Sequence, residues 1–374
     1  MAKKIIILGA TGSVGECALK IISQFPDRFH LVAFSYHKNH EKAQKIAREF
    51  NVKYVACTGD QAPKILGDAI HCLPQMEGLL EEEYDLLLNA VVGAAGVRAT
   101  YKALEQKKTI LLANKESLVV GGELFLSKGF SLQDLILPVD SEHSSLFRLL
   151  KKNNSFRSLT ITASGGPFRH SSEEEIKNAS LQAVLRHPTW EMGAKITVDS
   201  AGMINKALEI MEAHYLFSVP YKSLSAVVHP QSYVHAIVEL HDGTYIFHAS
   251  EPDMLYPVSY ALFYPEEPPF LRPRRNIAEL GTLEFLPVDK RRYPGFYLGL
   301  EAAQKGGYYP ALFNAANEEA VSLFLDGKIR FYEIPHYVEK TLEEAPLRYD
   351  GMDVETLFEI DSWARHKVRE LLKR

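Results

Sequence analysis

The sequence contains no long apolar segment. None of its apolar runs approaches the roughly 18 uninterrupted residues that a membrane-spanning helix requires. The aliphatic run at residues 5–8 is also too short for the central part of a secretory signal. We therefore expect a soluble, cytoplasmic protein that does not bind a membrane.

Cysteine is scarce, and neither sign of charge forms a block. The three cysteines, Cys17, Cys57 and Cys72, lack the spacing of a metal or redox motif, which argues against a disulfide scaffold. The 42 Lys and Arg residues nearly balance the 47 Asp and Glu residues, and the formal net charge is -5. Because no basic patch stands out, we expect no nucleic-acid partner.

The first part of the chain alternates short aliphatic runs with amphipathic stretches. Runs such as "KKIIILGA", "HLVAFS" and "TILLAN" are nearly apolar throughout, which is typical of parallel strands covered by helices on both faces. Residues 1–139 are thus predicted to form an α/β domain with a doubly wound, Rossmann-like sheet.

The rest of the chain follows other patterns. Residues 140–263 contain strand-like segments, two of which are joined by "HDG", an Asp-Gly hairpin signal. We expect an α+β catalytic domain here, with a mostly antiparallel sheet and a flexible flap. Frequent proline in residues 264–295 predicts a linker, and helical periodicity in residues 296–374 predicts a small helical bundle domain.

A glycine-rich turn follows the first predicted strand. In "IIILGATGSVGECALKI", Gly9, Gly12 and Gly15 lie between a strand and a helix, where backbone amides can approach a pyrophosphate. The second strand runs into "SYHKNH", without the carboxylate that an NAD ribose usually requires. This favours NADP, with Lys38 as the partner of its extra phosphate. The alternative is that Lys38 only solvates a loop.

Polar residues follow two later strands of the first domain. Lys115 lies in "LLANKESLVVGG", at the strand end where open α/β sheets bind ligands, although such a triplet can also be a surface turn. Asp140 and Glu142 are one residue apart, so in extended backbone their side chains leave the same face. Two carboxylates without a nearby cysteine suit Mg²⁺ or Mn²⁺, and a third ligand must come from elsewhere.

The segment "TVDSAGMINKALEIMEAHYLF" offers that third ligand. Ser200 is predicted to cap a helix on which Asn205 and Glu209 are stacked one turn apart, with Lys206 on the same face. The alternative is an ordinary amphipathic surface helix.

Two further segments suggest a substrate pocket. In "TASGGPFR" a strand ends at Ser164 and two glycines, an arrangement of hydroxyl and amides that can hold a phosphate. His187, Trp190 and Met192 lie in an irregular stretch that could close over a substrate as a lid. The alternative for Trp190 is a packing anchor.

Taken in order, these segments resemble one family. "GATGSVG", "LLANKESLV", "LPVDSEHS", "SGGPF", "HPTWEMGAKITVDSAGMINKALE", "HPQSYVHA" and "FNAANEEAV" are similar to those of 1-deoxy-D-xylulose-5-phosphate reductoisomerases. The resemblance implies a homodimeric, NADPH-dependent enzyme of the non-mevalonate isoprenoid pathway. It also implies a divalent metal, Mg²⁺ or Mn²⁺, with Co²⁺ as a third candidate. The expected reaction rearranges a phosphosugar, 1-deoxy-D-xylulose 5-phosphate, and reduces it with hydride to 2-C-methyl-D-erythritol 4-phosphate.

The resemblance also assigns roles to individual residues. The metal ligands would be Asp140, Glu142 and Glu209. The residues expected at the reacting centre are Lys115, Glu142 and His187. Substrate contacts are expected from Lys115, Ser141, Glu142, Ser164, His187, Trp190, Met192, Ser200, Asn205, Lys206 and Glu209. Cofactor contacts are expected from Thr11, Gly12, Ser13, Val14, His37, Lys38, Asn39, Asn114, Glu116 and Gly193.

Two other functions fit part of the pattern. A metal-free NADP dehydrogenase acting on a semialdehyde also pairs a glycine loop with an α+β domain, but it has no use for three converging carboxylates. A non-catalytic NADP sensor does not need so many polar residues at the strand ends. The residues leave open whether the rearrangement is a retroaldol and aldol pair or a direct ketol shift.

Overall fold

The computed structural model describes residues 2–59, 70–152, 155–190, 192–269, 276–346 and 351–374. Its contacts divide the chain into two units. The first comprises Met1–Ser117, Phe125–Ser144 and Met254–Pro268, and the second comprises Leu118–Leu124, Ser145–Asp253 and Pro269–Arg374. The predicted boundaries at residues 139, 263 and 295 stay a prediction.

A parallel sheet forms the centre of the first unit. Its strands are β1 (Lys3–Leu8), β2 (Phe29–Tyr36), β3 (Tyr54–Cys57), β4 (His71–Leu73), β5 (Leu86–Asn89), β6 (Thr109–Leu112) and β7 (Ile136–Pro138). They lie in the order β4-β3-β2-β1-β5-β6-β7, and the pairings are parallel. The order reverses direction beside β1, whose residues 5–8 are fully buried. This confirms the doubly wound, Rossmann-like domain, whose ligand crevice lies at that reversal.

Helices connect these strands. They are α1 (Ser13–Gln24), α2 (His40–Glu49), α3 (Val97–Glu105), α4 (Glu116–Ser127), α5 (Leu132–Leu135), α6 (Ser141–Leu150) and, from far along the chain, α11 (Leu255–Phe263). Helix α4 and helix α6 each cross a boundary between the units. Helix α11 belongs to the first unit because Phe263 packs edge-on against Phe25 and Phe29, with ring centroids 5.0 Å apart in both pairs.

The second unit contains a mixed sheet. Its strands are β8 (Ser158–Ala163), β9 (Leu224–Val228), β10 (Val234–Glu239), β11 (Tyr245–Ala249) and β12 (Leu286–Pro287), in the order β11-β10-β8-β9-β12. Only the β8–β9 pairing is parallel within the described sheet, so the expectation of mostly antiparallel strands is confirmed. Strands β10 and β11 form the predicted hairpin, and Gly243 has a φ of 85° in its turn.

The helices of the second unit pack on that sheet and on one another. They are α7 (Glu173–Lys177), α8 (Leu181–Val184), α9 (Ala194–Ala201), α10 (Ile204–Phe217), α12 (Pro294–Lys305), α13 (Tyr309–Leu325), α14 (Ile334–Glu343) and α15 (Val354–Leu371). Helix α13 is buried on most sides, and Arg365 and Arg369 of α15 pair with its Glu318 and Glu319. The predicted helical C-terminal region is therefore present.

The proline-rich stretch is more ordered than predicted. Residues 270–275 of the predicted linker lie outside the described residues. A short 3₁₀ helix occupies Ile277–Leu280, and β12 adds an edge strand by pairing with β9. Pro287 is compatible with that edge position, where a strand lacks a partner for one of its sides.

Among the described residues, no helix combines the length and apolar character needed to cross a bilayer.

Candidate active site

The glycine loop of the first unit is shaped by close backbone contacts. Gly9 has a φ of 82°, and a Cβ on it would lie 2.6 Å from the Ala90 carbonyl oxygen. A Cβ on Gly15 would lie 2.5 Å from the Gly9 carbonyl oxygen. Residues 11–14 form the loop and the first turn of α1, and Gly12 and Ser13 are exposed. The loop therefore presents bare backbone at a helix N-terminus, which suits a pyrophosphate.

The exposed end of β2 carries the residues predicted to meet the extra phosphate of NADP. His37, Lys38 and Asn39 are all exposed. Asn39 also caps α2, since its side chain accepts a hydrogen bond from the Lys42 amide at 3.1 Å. Lys42 forms an ion pair with Glu16 and donates to the Thr11 carbonyl at 3.4 Å. Sequence reasoning missed Lys42, which brings a second cation beside the glycine loop.

The Asn114–Lys115–Glu116 triplet is buried, so it is not a surface turn. The Asn114 amide donates to the carbonyls of Val91 and Gly93 and to Glu116, at 2.9 to 3.1 Å. Its side chain thus holds the strand ends together. Lys115 is only 4% exposed, and its Nζ lies 2.7 Å from Asp140 Oδ2.

Asp140 and Glu142 lie at the start of α6, directly after β7. A carboxylate oxygen of Asp140 lies within 4.8 Å of one of Glu142. The Ser141 hydroxyl donates to Glu142, and the ring of the fully buried His143 lies 3.3 Å from Asp140 Oδ1. The first unit therefore brings two carboxylates, a lysine and a histidine together. Sequence reasoning missed His143, which lies one turn along from Asp140 and could have been noted for that spacing.

Ser164 lies in a turn that packs against the end of α9. Gly165 and Gly166 both have positive φ, and a Cβ on Gly166 would lie 2.9 Å from Ala201 Cα. Only glycine allows this approach, which brings the turn next to Ser200. The Ser164 hydroxyl oxygen accepts from the Gly166 amide at 3.2 Å.

His187 connects this turn to the predicted lid. Its Nδ1 accepts from the amides of Thr189 and Trp190, at 3.2 and 2.9 Å, so the proton resides on Nε2. Nε2 lies 3.1 Å from the Ser164 hydroxyl, to which it donates. Burial, assisted by the positive charge of Arg169, lowers the pKa of His187 to about 4. The ring is therefore neutral near pH 7.

The third predicted lid residue, Met192, and the predicted cofactor contact Gly193 follow. Met192 is partly buried, and Gly193 is the exposed residue that precedes α9.

The prediction that Ser200 caps the next helix is wrong. Ser200 lies in the last turn of α9, and α10 begins after Met203, which has a left-handed φ of 58°. The "DSAG" segment continues a helix because α9 is buried against α13, where Asn317 donates to Asp199 at 2.8 Å. Tertiary contacts thus override the local capping preference.

Helix α10 brings its three predicted residues together in a buried cluster. Asn205 and Lys206 both donate to Glu209, one to each carboxylate oxygen. Lys206 is 4% exposed and Glu209 is 1% exposed. The alternative of an ordinary surface helix is therefore excluded, because the charged side chains that would face solvent on such a helix are buried here.

Comparison with known proteins identifies the family. The family model of 1-deoxy-D-xylulose 5-phosphate reductoisomerase matches residues 5–122. Two models of its C-terminal domains match residues 136–217 and 249–367. The chain belongs to this family.

Curated relatives agree over their whole length. The reductoisomerase of Leptospira interrogans serovar copenhageni is 43% identical, with 100% of this chain and 98% of that protein covered. The reductoisomerase of Halothermothrix orenii is 41% identical, with 99% of each covered.

Solved reductoisomerase structures have the same fold. One, a complex with NADPH, fosmidomycin and magnesium, has a TM-score of 0.92 at 33% identity and covers 99% of this chain and 98% of that one. The Zymomonas mobilis enzyme in complex with NADPH has a TM-score of 0.89 at 34% identity, with 100% of both chains covered.

Proposed function

We propose that this reductoisomerase converts 1-deoxy-D-xylulose 5-phosphate into 2-C-methyl-D-erythritol 4-phosphate. The supporting observation is the family match along the whole chain. By that membership the chain is an NADP-dependent oxidoreductase that uses Mg²⁺. The roles of individual residues and the finer properties below are part of the proposal.

Asp140, Glu142 and Glu209 are proposed as the metal ligands. Carboxylate oxygens are the ligands that Mg²⁺ and Mn²⁺ prefer, and the close approach of Asp140 and Glu142 fits two ligands of one cation. Lys115 and Lys206 compensate the charges of Asp140 and Glu209. A bound divalent ion would act as a Lewis acid toward the carbonyl and hydroxyl oxygens of the substrate.

Lys115, Glu142 and His187 are proposed at the reacting centre. Lys115 carries a buried positive charge, which is worth more beside a developing oxyanion than it would be in water. The neutral His187 donates from Nε2 and cannot act as an imidazolium near pH 7. At the reacting centre it would therefore act as a neutral hydrogen-bond donor, and its contacts with Ser164, Thr189 and Trp190 would hold the proposed lid in one orientation.

Ser164, Ser200, Asn205 and Lys206 are proposed to bind the substrate phosphate. The Ser164 hydroxyl oxygen already accepts two hydrogen bonds, from His187 and Gly166, so its own proton points to another acceptor. Gly166 fixes Ser164 next to Ser200. Trp190 and Met192 would cover the bound substrate, with Ser141 and Glu209 contacting its polar groups.

NADPH is proposed to bind to residues of the first unit, with Gly193 as one contact from the second. The residues proposed to face the pyrophosphate are Thr11, Gly12, Ser13 and Val14. A Cβ on Gly9 or Gly15 would collide with backbone atoms and distort this loop. The outer phosphate would meet His37, Lys38 and Asn39, which are exposed as such a role requires. Contacts from Asn114, Glu116 and Gly193 complete the proposed cofactor set.

Three broader properties rest on the resemblance. We propose that the enzyme is a homodimer, acts in the cytoplasm and accepts Mn²⁺ as well as Mg²⁺. Sedimentation of the purified protein with and without NADPH measures the first property, and activity with each metal alone measures the last.

An NADPH-absorbance assay tests the function. We expect NADPH to be consumed only when 1-deoxy-D-xylulose 5-phosphate and Mg²⁺ are both present, and we expect excess EDTA to stop the reaction. The product is identified by mass and by NMR of its methyl-bearing carbon. Full activity in EDTA, or consumption of NADPH with a semialdehyde instead, would favour a metal-free dehydrogenase and contradict the proposal.

A further inference from the structure

The second unit contains a cavity of about 410 Å³ that has no role in the proposed reaction. Its apolar walls come from α7, α9, α10, α13 and the segment before α14. The aliphatic and phenylalanine side chains of the lining are Ile176, Val198, Ile204, Val321, Phe331 and Ile334. A volume of a few hundred Å³ with mostly apolar walls and a few polar groups is typical of a small-molecule site.

The charged residues around this cavity are predominantly basic. Lys177, Arg291 and Arg292 line it together with Glu173. Among the described residues, none of these three cations forms an ion pair. The Arg292 guanidinium donates to the carbonyls of residues 168 and 169, and its backbone amide donates to the Asp289 carboxylate. The three cations of the lining therefore outnumber its two carboxylates, and none of them is held in an ion pair within the described residues.

The other acid in the lining is neutralised from within the protein. Asp199 accepts a hydrogen bond from Asn317 at 2.8 Å and lies 2.9 Å from Lys195 Nζ. Since Lys195 already balances the charge of that carboxylate, Asp199 does not offset the cations of the lining.

A missing side chain at Gly202 leaves part of this cavity open. A Cβ on Gly202 would meet only Phe331 and Ile204, at 3.8 and 3.9 Å, which are ordinary contacts. Its φ of -94° is accessible to any residue. Neither strain nor crowding therefore requires glycine at this position.

We propose that this cavity is a binding site for a small amphipathic anion, with an apolar body against the buried walls and a carboxylate or phosphate ester beside Lys177 and Arg291. Such a ligand would contact Val198, Asp199, Gly202 and Ile204. These residues flank Ser200 and Asn205 in the sequence. The site is thus placed to change how the segment 198–206 presents its polar groups.

Calorimetric titration of the enzyme, saturated with NADPH and Mg²⁺, tests the binding site directly. Octanoate, octan-1-ol and octylammonium share one apolar chain and differ in the charge of the head group. We expect octanoate to bind once per chain and about tenfold more tightly than octan-1-ol, because a charge-assisted hydrogen bond is worth about that factor. Octylammonium is expected to bind most weakly. Equal affinities for the three compounds would overturn the proposal.

Two sets of variants locate the site. Gly202→Leu places a side chain in the cavity and should reduce octanoate affinity at least about tenfold, because the apolar chain of the ligand can no longer be buried there. Combining Lys177→Gln with Arg291→Gln should weaken the binding of octanoate but not the binding of octan-1-ol. Lys128→Gln with Lys152→Gln removes the same net charge from exposed positions outside the lining and should change neither affinity. Wild-type binding in both cavity variants would overturn the assignment.

One consequence rests on the proposed function. If the segment 198–206 holds the substrate phosphate, octanoate should raise or lower the KM for 1-deoxy-D-xylulose 5-phosphate and leave the KM for NADPH nearly unchanged. The titration contains no substrate, so its result stands whether or not the proposed reaction is correct.

Discussion

At the scale of single residues, the candidate site consists of charges buried in pairs. Lys115 with Asp140 and Lys206 with Glu209 have side chains that are 2% to 13% exposed. Breaking a buried ion pair by removing one partner costs about 3–5 kcal/mol in proteins. A metal ion that binds the carboxylates adds positive charge to these pairs, so the stability of variants at these residues should change when metal is added.

Glu209→Gln should weaken metal binding while the protein remains folded. The Gln amide keeps the shape of the carboxylate but loses its charge and one acceptor, so Asn205 and Lys206 can no longer both donate to it. We expect the calorimetric affinity for Mn²⁺ to fall at least about tenfold, as expected for loss of a charged ligand. Circular dichroism should be unchanged.

The matched control for this variant is Glu105→Gln, which removes an exposed carboxylate of α3. It should bind Mn²⁺ as the wild type does. Wild-type affinity in Glu209→Gln as well would remove Glu209 from the proposed ligand set.

The lid segment should lose stability in mild acid because of His187. Its folded pKa of about 4 lies below the ordinary value of 6.5, so the opened segment takes up a proton that the closed one does not. Closure is fully stable above pH 6.5 and weakens as the pH falls toward 4. At pH 5 the loss amounts to at most about 2 kcal/mol.

Hydrogen exchange at the Thr189 and Trp190 amides measures this effect, after correction for the intrinsic pH dependence. Both amides donate to His187, so they report its opening directly. The variant His187→Gln cannot be protonated in this range and should show no such acid sensitivity. Equal pH dependence in the two proteins would show that another group controls the lid.

At the scale of secondary-structure elements, two glycines of the loop have different roles. Gly15 is required for backbone packing, and Gly12 is proposed to contact the ligand. A Cβ on Gly15 meets backbone atoms at 2.5 Å, whereas one on Gly12 meets only the Gly9 carbonyl oxygen at 3.4 Å. We expect Gly15→Ala to destabilise the unliganded protein by about 1–3 kcal/mol, as overpacking does. Gly12→Ala should unfold like the wild type yet bind NADPH more weakly, because its methyl group would lie at the proposed pyrophosphate site.

Thermal unfolding and NADPH titration of both variants give these quantities. Gly12→Ala shows what an added methyl group does to NADPH affinity when the loop still folds normally. Gly15→Ala shows what a distorted loop does to the same affinity. Normal NADPH affinity in Gly12→Ala would place the pyrophosphate elsewhere.

The same elements show how far the sequence could predict the site. The strands of the first unit were predictable because runs such as residues 5–8 are apolar on both faces, and their ends located Lys115 and Asp140. The break between α9 and α10 was not predictable. It depends on a left-handed Met203, a conformation that methionine rarely adopts, and on burial of α9 against α13.

At the scale of the whole molecule, each unit is assembled from distant parts of the chain. Helix α11 joins the first unit although about a hundred residues separate it from β7. Periodicity identifies an element but carries no information about the surface on which it packs, so this placement was outside the reach of sequence reasoning. The polar residues of α10 were likewise predicted to face one side, but their nearly complete burial follows from packing within the unit.

The glycine loop and the proposed phosphate site should respond to different ligands. NADPH alone should slow hydrogen exchange in residues 9–14, and 1-deoxy-D-xylulose 5-phosphate with Mg²⁺ alone should slow it in residues 164–166 and 200–206. A ligand present at about 100 times its Kd stabilises the region it binds by up to about 2.7 kcal/mol, which corresponds to a protection factor of about 100. Gly12→Ala should lose the first protection and keep the second, and Glu209→Gln should do the reverse. If either ligand protected both sets of peptides equally, the proposed separation of cofactor and substrate binding would be wrong, because residues 9–14 belong to the first unit and residues 164–166 and 200–206 belong to the second.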